Sequence, residues 1–290
     1  MIGLETWFGG GQRVPLMLPD NQPVHLFCRV SGSGQWVTFL HGFPTCSWDW
    51  ATVADSLGSD YRVLLPDLLG YGDSDKPSAH KYSLVEAADS VERLWRHFGV
   101  RETRLVAHDI GGSVAQELLA RQLEARLAVQ LTRVVFLNAA LYHGLSRPRP
   151  VQRLLSHRVI GPVLSRVVTE RVFARNLAAT FSTSHPLASN TAHDYWTALR
   201  RRSTSPHIHR LLRYIPERAQ HHVRWESALD RTAVPLSFIW GLHDPVSGAP
   251  VANEIRQRLP RADFVGLDDV GHYPHVEVPD RVLTELRTLL

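Results

Sequence analysis

The segment Leu105-Val106-Ala107-His108-Asp109-Ile110-Gly111-Gly112-Ser113 decides the fold. A short apolar run leads without a spacer into a sharp turn and a glycine-containing helix start, an order typical of the nucleophile elbow. Small residues tolerate the strained backbone of such a turn, which lifts one side chain above the sheet. Asp109 holds the lifted position. The Ile110 N–H, at the start of the helix, is expected to help bind an oxyanion.

An aspartate at the lifted position predicts a particular reaction. A serine that attacked a saturated carbon would form an ether, which water does not readily cleave. A carboxylate that attacks the same carbon forms an ester, which can be hydrolysed at its carbonyl. Asp109 therefore indicates displacement at an alkyl carbon followed by ester hydrolysis. The alternatives are a helix N-cap, or the remnant of a site in a protein without enzymatic activity.

Three more segments follow predicted strands and supply the partners that such a nucleophile needs. His41-Gly42-Phe43-Pro44 can turn the Phe43 N–H toward the elbow as a second oxyanion donor, and His41 is expected to be structural. Asp244 lies in a Gly/Pro turn, where it can orient an imidazole, although alone it would be only a turn residue. His272 lies in a loop after the last predicted strand. The order along the chain is then nucleophile, acid, histidine.

Short apolar runs alternate with amphipathic helical patterns on both sides of the elbow. Helices are predicted at residues 83–98 and 111–127, and a hairpin at residues 6–30. The apolar runs are typical of parallel strands covered on both faces, and they lie at residues 36–40, 62–65, 105–107, 134–137, 236–240 and 263–267. This alternation predicts the α/β class, with an open, mostly parallel central sheet flanked by helices.

The alternation stops between Leu141 and Asp230, where no strand pattern is found. Helical patterns punctuated by prolines replace it, at residues 151–168, 170–180, 192–201 and 207–214. Ligands of open α/β folds bind at the carboxyl ends of the strands, so an insertion leaving a strand end would roof the site. We expect an α/β core of residues 1–140 and 232–290 with a helical cap of residues 141–231. A purely structural subdomain is the alternative.

The charge of the chain is unevenly distributed. The 290 residues carry a formal net charge of +4, and 30 of the 32 basic residues are arginines. The expected cap holds fifteen arginines and five acidic residues, so it carries +10 and the remainder carries −6. The small overall excess, with no basic run longer than three residues, argues against a nucleic-acid partner. A solvated cap surface is expected, with room for an acidic partner or an anionic surface.

Location and membrane association are read from the composition. Two cysteines, Cys28 and Cys46, are too few for a disulfide framework and favour a reduced, cytoplasmic protein. The chain shows no signal-peptide pattern and no uncharged apolar run of about 18 residues, so no membrane partner is expected.

Together these motifs resemble those of the α/β-hydrolase superfamily, in the branch of epoxide hydrolases and haloalkane dehalogenases. The resemblance covers nearly the whole chain and includes the run Asp-Leu-Leu-Gly-Tyr-Gly-Asp-Ser-Asp-Lys-Pro at residues 67–77. Details at residues 43–50, 114–119 and 212–215 are similar to the mesoderm-specific transcript proteins of animals. On composition alone we expect a bacterial member.

The resemblance implies an epoxide hydrolase with a helical cap. In that family the cap supplies one tyrosine, usually two, whose hydroxyl binds and protonates the epoxide oxygen. Tyr214 is the best match, unless it only packs between helices, and Tyr142 and Tyr195 are candidates for the second tyrosine. The substrate would be an apolar small-molecule epoxide. Water activated by His272 would then hydrolyse an alkyl ester on Asp109, without a metal or an organic cofactor. The sequence also allows a homodimer.

Other functions remain open at this point. A haloalkane-type dehalogenase would share the same triad, but that family places Trp after the nucleophile and Asn or Glu after His-Gly, where this chain has Ile110 and Phe43. Fluoroacetate-type dehalogenases place Arg after the nucleophile, so Ile110 argues against an anionic substrate. Asp109 disfavours a serine-type esterase. A non-catalytic interaction protein is the alternative from a different class. The close histidine pairs at 207/209 and 221/222 lack a further set of metal ligands.

Overall fold

One eight-stranded sheet forms the centre of the fold, in a computed structural model that describes residues 2–19 and 21–290. The strands are β1 (Gln12–Met17), β2 (Pro23–Ser31), β3 (Trp36–Leu40), β4 (Arg62–Pro66), β5 (Glu102–His108), β6 (Gln130–Leu137), β7 (Leu236–Gly241) and β8 (Asp263–Leu267). Across the sheet their order is β1-β2-β4-β3-β5-β6-β7-β8. The β1–β2 and β2–β4 pairs are antiparallel, and all other neighbours are parallel. The prediction of a mostly parallel α/β sheet is confirmed.

Helices cover both faces of this sheet, as strands buried on both faces require. In the parts of the chain before β7 they are α1 (Leu4–Gly9), α2 (Ala51–Leu57), α3 (Leu84–His97) and α4 (Ile110–Leu123), and after β7 they are α11 (Ala249–Arg258), α12 (Pro274–Glu277) and α13 (Pro279–Leu289). A short 3₁₀ turn at Ser47–Trp50 precedes α2. The hairpin predicted at residues 6–30 forms as β1 and β2. Its first residues belong instead to α1, which buries Trp7 and Phe8 against the core.

Six further helices lie between β6 and β7, and we call residues 150–231 the helical insertion. They are α5 (Pro150–Ser156), α6 (Ile160–Val167), α7 (Glu170–Ala178), α8 (Ser189–Arg200), α9 (Ile208–Leu211) and α10 (Tyr214–Arg231). The stretch predicted as one helix at 151–168 is two helices, because the chain is extended at His157. The division into a core and a cap as separate domains stays a prediction.

The sequence patterns did not predict α10, although it has 18 residues. Pro216 is one of the prolines that punctuate the predicted helical patterns. It lies in the first turn of α10, where a proline is tolerated because the first N–H groups of a helix have no partner inside it. Trp225 on the same helix donates its indole N–H to Glu117 of α4 at 2.8 Å. α10 therefore fastens the insertion to the helix that follows the elbow.

Two observations bear on location. Cys28 and Cys46 are both buried and unpaired. No helix in the described ranges 2–19 and 21–290 is long and apolar enough to cross a bilayer. The cytoplasmic location stays a prediction.

Candidate active site

The elbow between β5 and α4 is strained at Asp109. Its backbone has φ +47° and ψ −111°, a conformation that L residues rarely adopt. Gly111, two residues later, lets α4 begin close to the end of β3. A β-carbon at this position would lie 2.8 Å from the Leu40 carbonyl oxygen. The strain lifts the Asp109 carboxylate to the carboxyl end of the parallel strands. The residue is 5 % exposed there.

The carboxylate of Asp109 is held by a backbone donor from the loop after β3. The Phe43 N–H donates to Asp109 Oδ2 at 2.9 Å. That loop is fixed in turn, because the Tyr273 hydroxyl donates to the Phe43 carbonyl oxygen at 2.9 Å. Ile110 is the first residue of α4, so its N–H finds no acceptor inside the helix. Of the two amides predicted as oxyanion donors, that of Phe43 therefore contacts the carboxylate. That of Ile110 belongs to the residue that follows Asp109 in the chain.

Asp244 lies in the loop after β7 and is saturated with hydrogen bonds. Its oxygens accept from the His272 ring Nδ1 at 2.7 Å, the Ser247 hydroxyl at 2.7 Å, the Val246 amide at 2.7 Å and the Asn138 side chain at 2.9 Å. Burial favours the neutral acid, but the charge of His272 and these hydrogen bonds outweigh it and lower the pKa of Asp244. Asp244 is therefore a carboxylate, able to orient an imidazole.

His272 lies in the loop between β8 and α12, with its backbone fixed on both sides. Its N–H donates to the Thr180 carbonyl oxygen of the insertion at 2.9 Å, and its carbonyl oxygen lies 2.8 Å from His108 Nε2. Burial lowers the pKa of His108 well below its ordinary value, so that ring is neutral and donates Nε2–H. For His272 itself burial acts in the same direction, but the Asp244 charge outweighs it and raises the pKa. Because Nδ1–H points at Asp244, Nε2 is the basic nitrogen of the neutral ring.

Glu277 ties the His272 loop to the insertion. Its carboxylate accepts from three backbone N–H groups, those of Gly271 at 2.9 Å, Tyr273 at 3.0 Å and Ser182 at 3.0 Å. The first two flank His272 and the third belongs to the insertion. One side chain therefore sets the position of the histidine relative to the helices above it.

A cavity joins these groups to the insertion. Asp109 and His272 line it from the core, and Tyr214 and Arg218 line it from α10. Most of the remaining wall is apolar and includes Phe43, Leu155, Val168, Val172, Phe173 and Leu177. The arrangement places a carboxylate, an imidazole and a phenol around an apolar space.

Tyr214 is the predicted cap tyrosine that reaches this cavity. Its ring centroid lies 5.7 Å from that of Phe43, and its hydroxyl oxygen lies 3.4 Å from Gln152 Nε2. Burial and, to a lesser degree, the Asp109 charge raise the pKa of the phenol. Tyr214 is therefore protonated at neutral pH, and its hydroxyl can donate.

The other two candidate tyrosines do not line the cavity. Tyr142 packs under the guanidinium of Arg258, whose carbon lies 4.6 Å from the ring centroid, and borders a separate pocket. Tyr195 is fully buried, with its ring 5.2 Å from that of Trp48. Neither hydroxyl has a hydrogen-bond partner among the described residues.

Arg218 is a cavity residue that the sequence patterns missed. Its Nη2 lies 3.5 Å from Asp109 Oδ1, and its Nε donates to the Ser113 hydroxyl at 2.8 Å. The guanidinium carbon lies 4.8 Å from the centroid of the Tyr214 ring. Within residues 2–19 and 21–290, Nη1 has no hydrogen-bond partner. The available signal was the i, i+4 spacing of Tyr214 and Arg218, which only a predicted helix α10 would have placed on one face.

His41 and one buried cluster lie outside this machinery. His41 Nε2 accepts from the Leu68 N–H at 2.9 Å, the structural role expected for it. Asp49, His108 and His275 form the one group of potential metal ligands found in the described parts of the chain, and none of them lines the cavity. His275 Nε2 lies 3.9 Å from Asp49 Oδ2, wider than the roughly 3.4 Å between ligand atoms of a tetrahedral zinc.

Comparisons with known proteins agree with this geometry. A family model described as alpha/beta hydrolase fold matches residues 35–279. LipZ of Mycobacterium tuberculosis is 38 % identical over 278 residues, covering 95 % of this chain and 94 % of that protein. The mesoderm-specific transcript homolog protein of Bos taurus is 38 % identical over 257 residues, covering 86 % and 77 %.

Solved structures extend the similarity in fold. The epoxide hydrolase CorEH matches with a TM-score of 0.75 at 19 % identity, covering 96 % of this chain and 98 % of that one. Haloalkane dehalogenases are also among the matching structures. At this level of identity the likeness concerns the fold alone.

Proposed function

Because this chain belongs to the α/β-hydrolase fold family, we propose that it is an epoxide hydrolase with Asp109 as nucleophile. The observation that carries the proposal is the aspartate at the elbow, in one cavity with His272 and the Tyr214 phenol. The apolar wall of the cavity favours an apolar epoxide. The α/β core would supply the nucleophile and the base, and the insertion the acid.

In the first step Asp109 attacks an oxirane carbon. The C–O bond breaks, Tyr214 donates its proton to the departing oxygen, and an alkyl ester forms on Asp109. The Arg218 cation, next to both groups, would stabilise negative charge on the leaving oxygen and on the tyrosinate. It would replace the second tyrosine expected of the family.

In the second step water hydrolyses the ester. His272 Nε2 takes a proton from water, which attacks the ester carbonyl of Asp109, while Asp244 stabilises the imidazolium. The Phe43 and Ile110 amides bind the oxyanion. The tetrahedral intermediate collapses, and His272 returns its proton to the departing alkoxide, which leaves as the vicinal diol. The proton left on the Asp109 carboxyl returns to the Tyr214 phenolate, so the carboxylate nucleophile and the phenol are both restored. The chemistry uses only side chains, backbone amides and water.

Trapping the ester tests this mechanism. The His272→Gln variant, incubated with styrene oxide, should gain the mass of one substrate on a peptide containing Asp109, since ester formation does not need the base. The matched control is the Asp109→Asn/His272→Gln double variant, which should gain none. If wild type makes no diol and the single variant carries no adduct, the proposal fails.

A haloalkane-type dehalogenase is the second candidate, and Arg218 is the observation that favours it. Ile110 and Phe43 offer no side-chain N–H to a leaving halide, but the unpartnered Arg218 Nη1 could hold one. Chloride released from a panel of haloalkanes, without diol formation from epoxides, would favour this candidate. Two results would overturn both candidate functions. One is ester hydrolysis that survives Asp109→Ala, and the other is the absence of turnover with all of these substrates.

A further inference from the structure

The helical insertion exposes large apolar side chains on α5, α6 and α7 and at the residue before α6. Among the described residues nine large apolar residues are exposed, and six of them lie between residues 154 and 172. They are 42–74 % exposed, and we call them the apolar patch: Leu154, Val159, Ile160, Val163, Val167 and Val172. Ile160, Val163 and Val167 recur at helical spacing along α6, so they form one continuous stripe. Surface clustering of this kind marks an interaction site.

Five exposed arginines lie beside the patch residues in the sequence or one helical turn away, and we call them the basic rim. They are Arg153, Arg158, Arg166, Arg171 and Arg175. None of them forms an ion pair within residues 2–19 and 21–290. Other arginines of the insertion are paired with acids: Arg201 and Arg202 with Asp73, and Arg224 with Glu117. The acid within the rim is Glu170, which bonds His193 at 2.7 Å.

We propose that the apolar patch and the basic rim dock the protein on an anionic phospholipid bilayer. A helix that lies in the plane of a membrane buries an apolar stripe at the acyl boundary and keeps arginines among the headgroups. Each arginine near an anionic leaflet adds favourable electrostatic energy. The absence of a spanning helix is compatible with this mode, because the insertion lies on the bilayer and does not cross it.

A second copy of the chain is a poorer occupant of the apolar patch. A two-fold dimer would place the same patch and rim opposite each other, bringing ten unpaired guanidinium groups together. Like charges opposed across an interface are unfavourable. An anionic bilayer satisfies both the apolar patch and the basic rim.

The patch is continuous with the wall of the Asp109 cavity. Val172 belongs to both, and the cavity wall also contains Leu155 of α5 and Val168, which directly follows α6. An apolar substrate dissolved in the bilayer could therefore enter the cavity without crossing water. This second part rests on the proposed function, whereas the docking itself does not.

Sedimentation with lipid vesicles tests the docking. Wild type should bind vesicles of phosphatidylcholine with phosphatidylglycerol, bind vesicles of phosphatidylcholine alone far more weakly, and lose binding as salt is raised. Arg158→Gln/Arg166→Gln/Arg171→Gln should weaken binding by about a hundredfold. Val159→Ser/Val163→Ser/Val167→Ser should weaken it by about tenfold or more.

Matched controls use exposed residues that belong to neither the apolar patch nor the basic rim. Val223→Ser on α10, and the triple variant Arg96→Gln/Arg101→Gln/Arg261→Gln, should bind as wild type does. Thermal unfolding of each variant reports whether it is folded. Equal vesicle binding by control and patch variants overturns the proposal. Failure of the wild type to bind anionic vesicles also overturns the proposal. The same holds if the wild type fails to bind them and instead forms a dimer that dissociates in the valine variant.

The two proposals fail independently of each other. The His272→Gln variant should bind vesicles like wild type, whether or not an ester forms. The patch and rim variants should hydrolyse water-dissolved styrene oxide at the wild-type rate, because none of their residues lines the cavity. Loss of diol formation with intact vesicle binding would remove the enzyme proposal alone.

Discussion

The Asp109 carboxylate lies beside the Arg218 guanidinium, a permanent cation, in a cavity with a mostly apolar wall. The 3.5 Å between Arg218 Nη2 and Asp109 Oδ1 is long for a hydrogen bond, so charge dominates the interaction. A guanidinium cannot serve as a proton donor at neutral pH. Its expected contribution is electrostatic: it stabilises the oxygen that leaves while Tyr214 delivers the proton.

Removing this cation should slow ring opening. We expect Arg218→Met to lower the rate of ester formation from an epoxide by about a hundredfold, the size typical of one lost transition-state donor. Arg218→Lys should recover part of the loss, since it keeps the charge without the planar fork. The measurement is the single-turnover rate of ester formation in the His272→Gln background.

The control for Arg218 is Arg213→Met, at the exposed start of α10. It should leave the rate of ester formation unchanged. A rate within twofold of the parent for Arg218→Met would remove Arg218 from the mechanism.

At the scale of elements, the loop that carries His272 depends on one side chain of α12. A glutamine at position 277 has one acceptor oxygen where the carboxylate has two, and its NH₂ would face a backbone N–H. Glu277→Gln should therefore lower the free energy of unfolding by about 1–3 kcal/mol. It should also lower kcat more than it raises KM, because the base is misplaced while the cavity wall is retained.

The comparison for Glu277 is Glu285→Gln on α13, a partly buried glutamate with no hydrogen bond in the described chain. Its unfolding curve and kinetics should match those of wild type. Equal behaviour of the two variants would show that the Glu277 contacts do not position His272.

Much of the arrangement at this scale is predictable from sequence, for a physical reason. Parallel strands bring their carboxyl ends to one edge, so Phe43, Asp109, Asp244 and His272 could be placed together from strand order alone. The hydrogen bond between Asp244 and His272 and the amide of Phe43 on Asp109 have the expected partners. Their catalytic roles stay a prediction.

The helical insertion was less predictable. Its helices are held by contacts with the core, such as that of Trp225 with Glu117, which no local pattern encodes. The helical patterns end at residue 214, so they do not predict α10 or the Arg218 side chain that it carries. Tyr142 and Tyr195 could be proposed as cavity residues only because their spatial positions were unknown.

For the whole molecule, buried neutral histidines make stability depend on pH. Burial lowers the pKa of His207 to about 4, and the pKa values of His108 and His275 are lowered as well. Below about pH 6.5 the unfolded chain binds protons that the folded chain does not. The free energy of unfolding should therefore fall as the pH drops from 6.5 to 4, by roughly 1.4 kcal/mol per pH unit for each such group. His272, whose pKa is raised, acts in the opposite direction.

Replacing one of these histidines tests the assignment. His207 joins α9 to the loop after β4, with Nε2 3.0 Å from the Gly70 carbonyl oxygen. His207→Gln keeps a donor but does not titrate. Denaturant unfolding across this range should give a shallower pH dependence for the variant than for wild type. Parallel curves would exclude His207 as a source of the acid sensitivity.

The insertion carries a net positive charge and the rest of the chain a net negative charge, so charge is separated between two parts of the molecule. In the field of an anionic surface this separation produces a torque that acts within about a Debye length, roughly 8 Å at physiological salt. The protein would thus rotate before contact, so that the cavity side approaches the surface first. A larger fraction of collisions would then occur in the productive orientation.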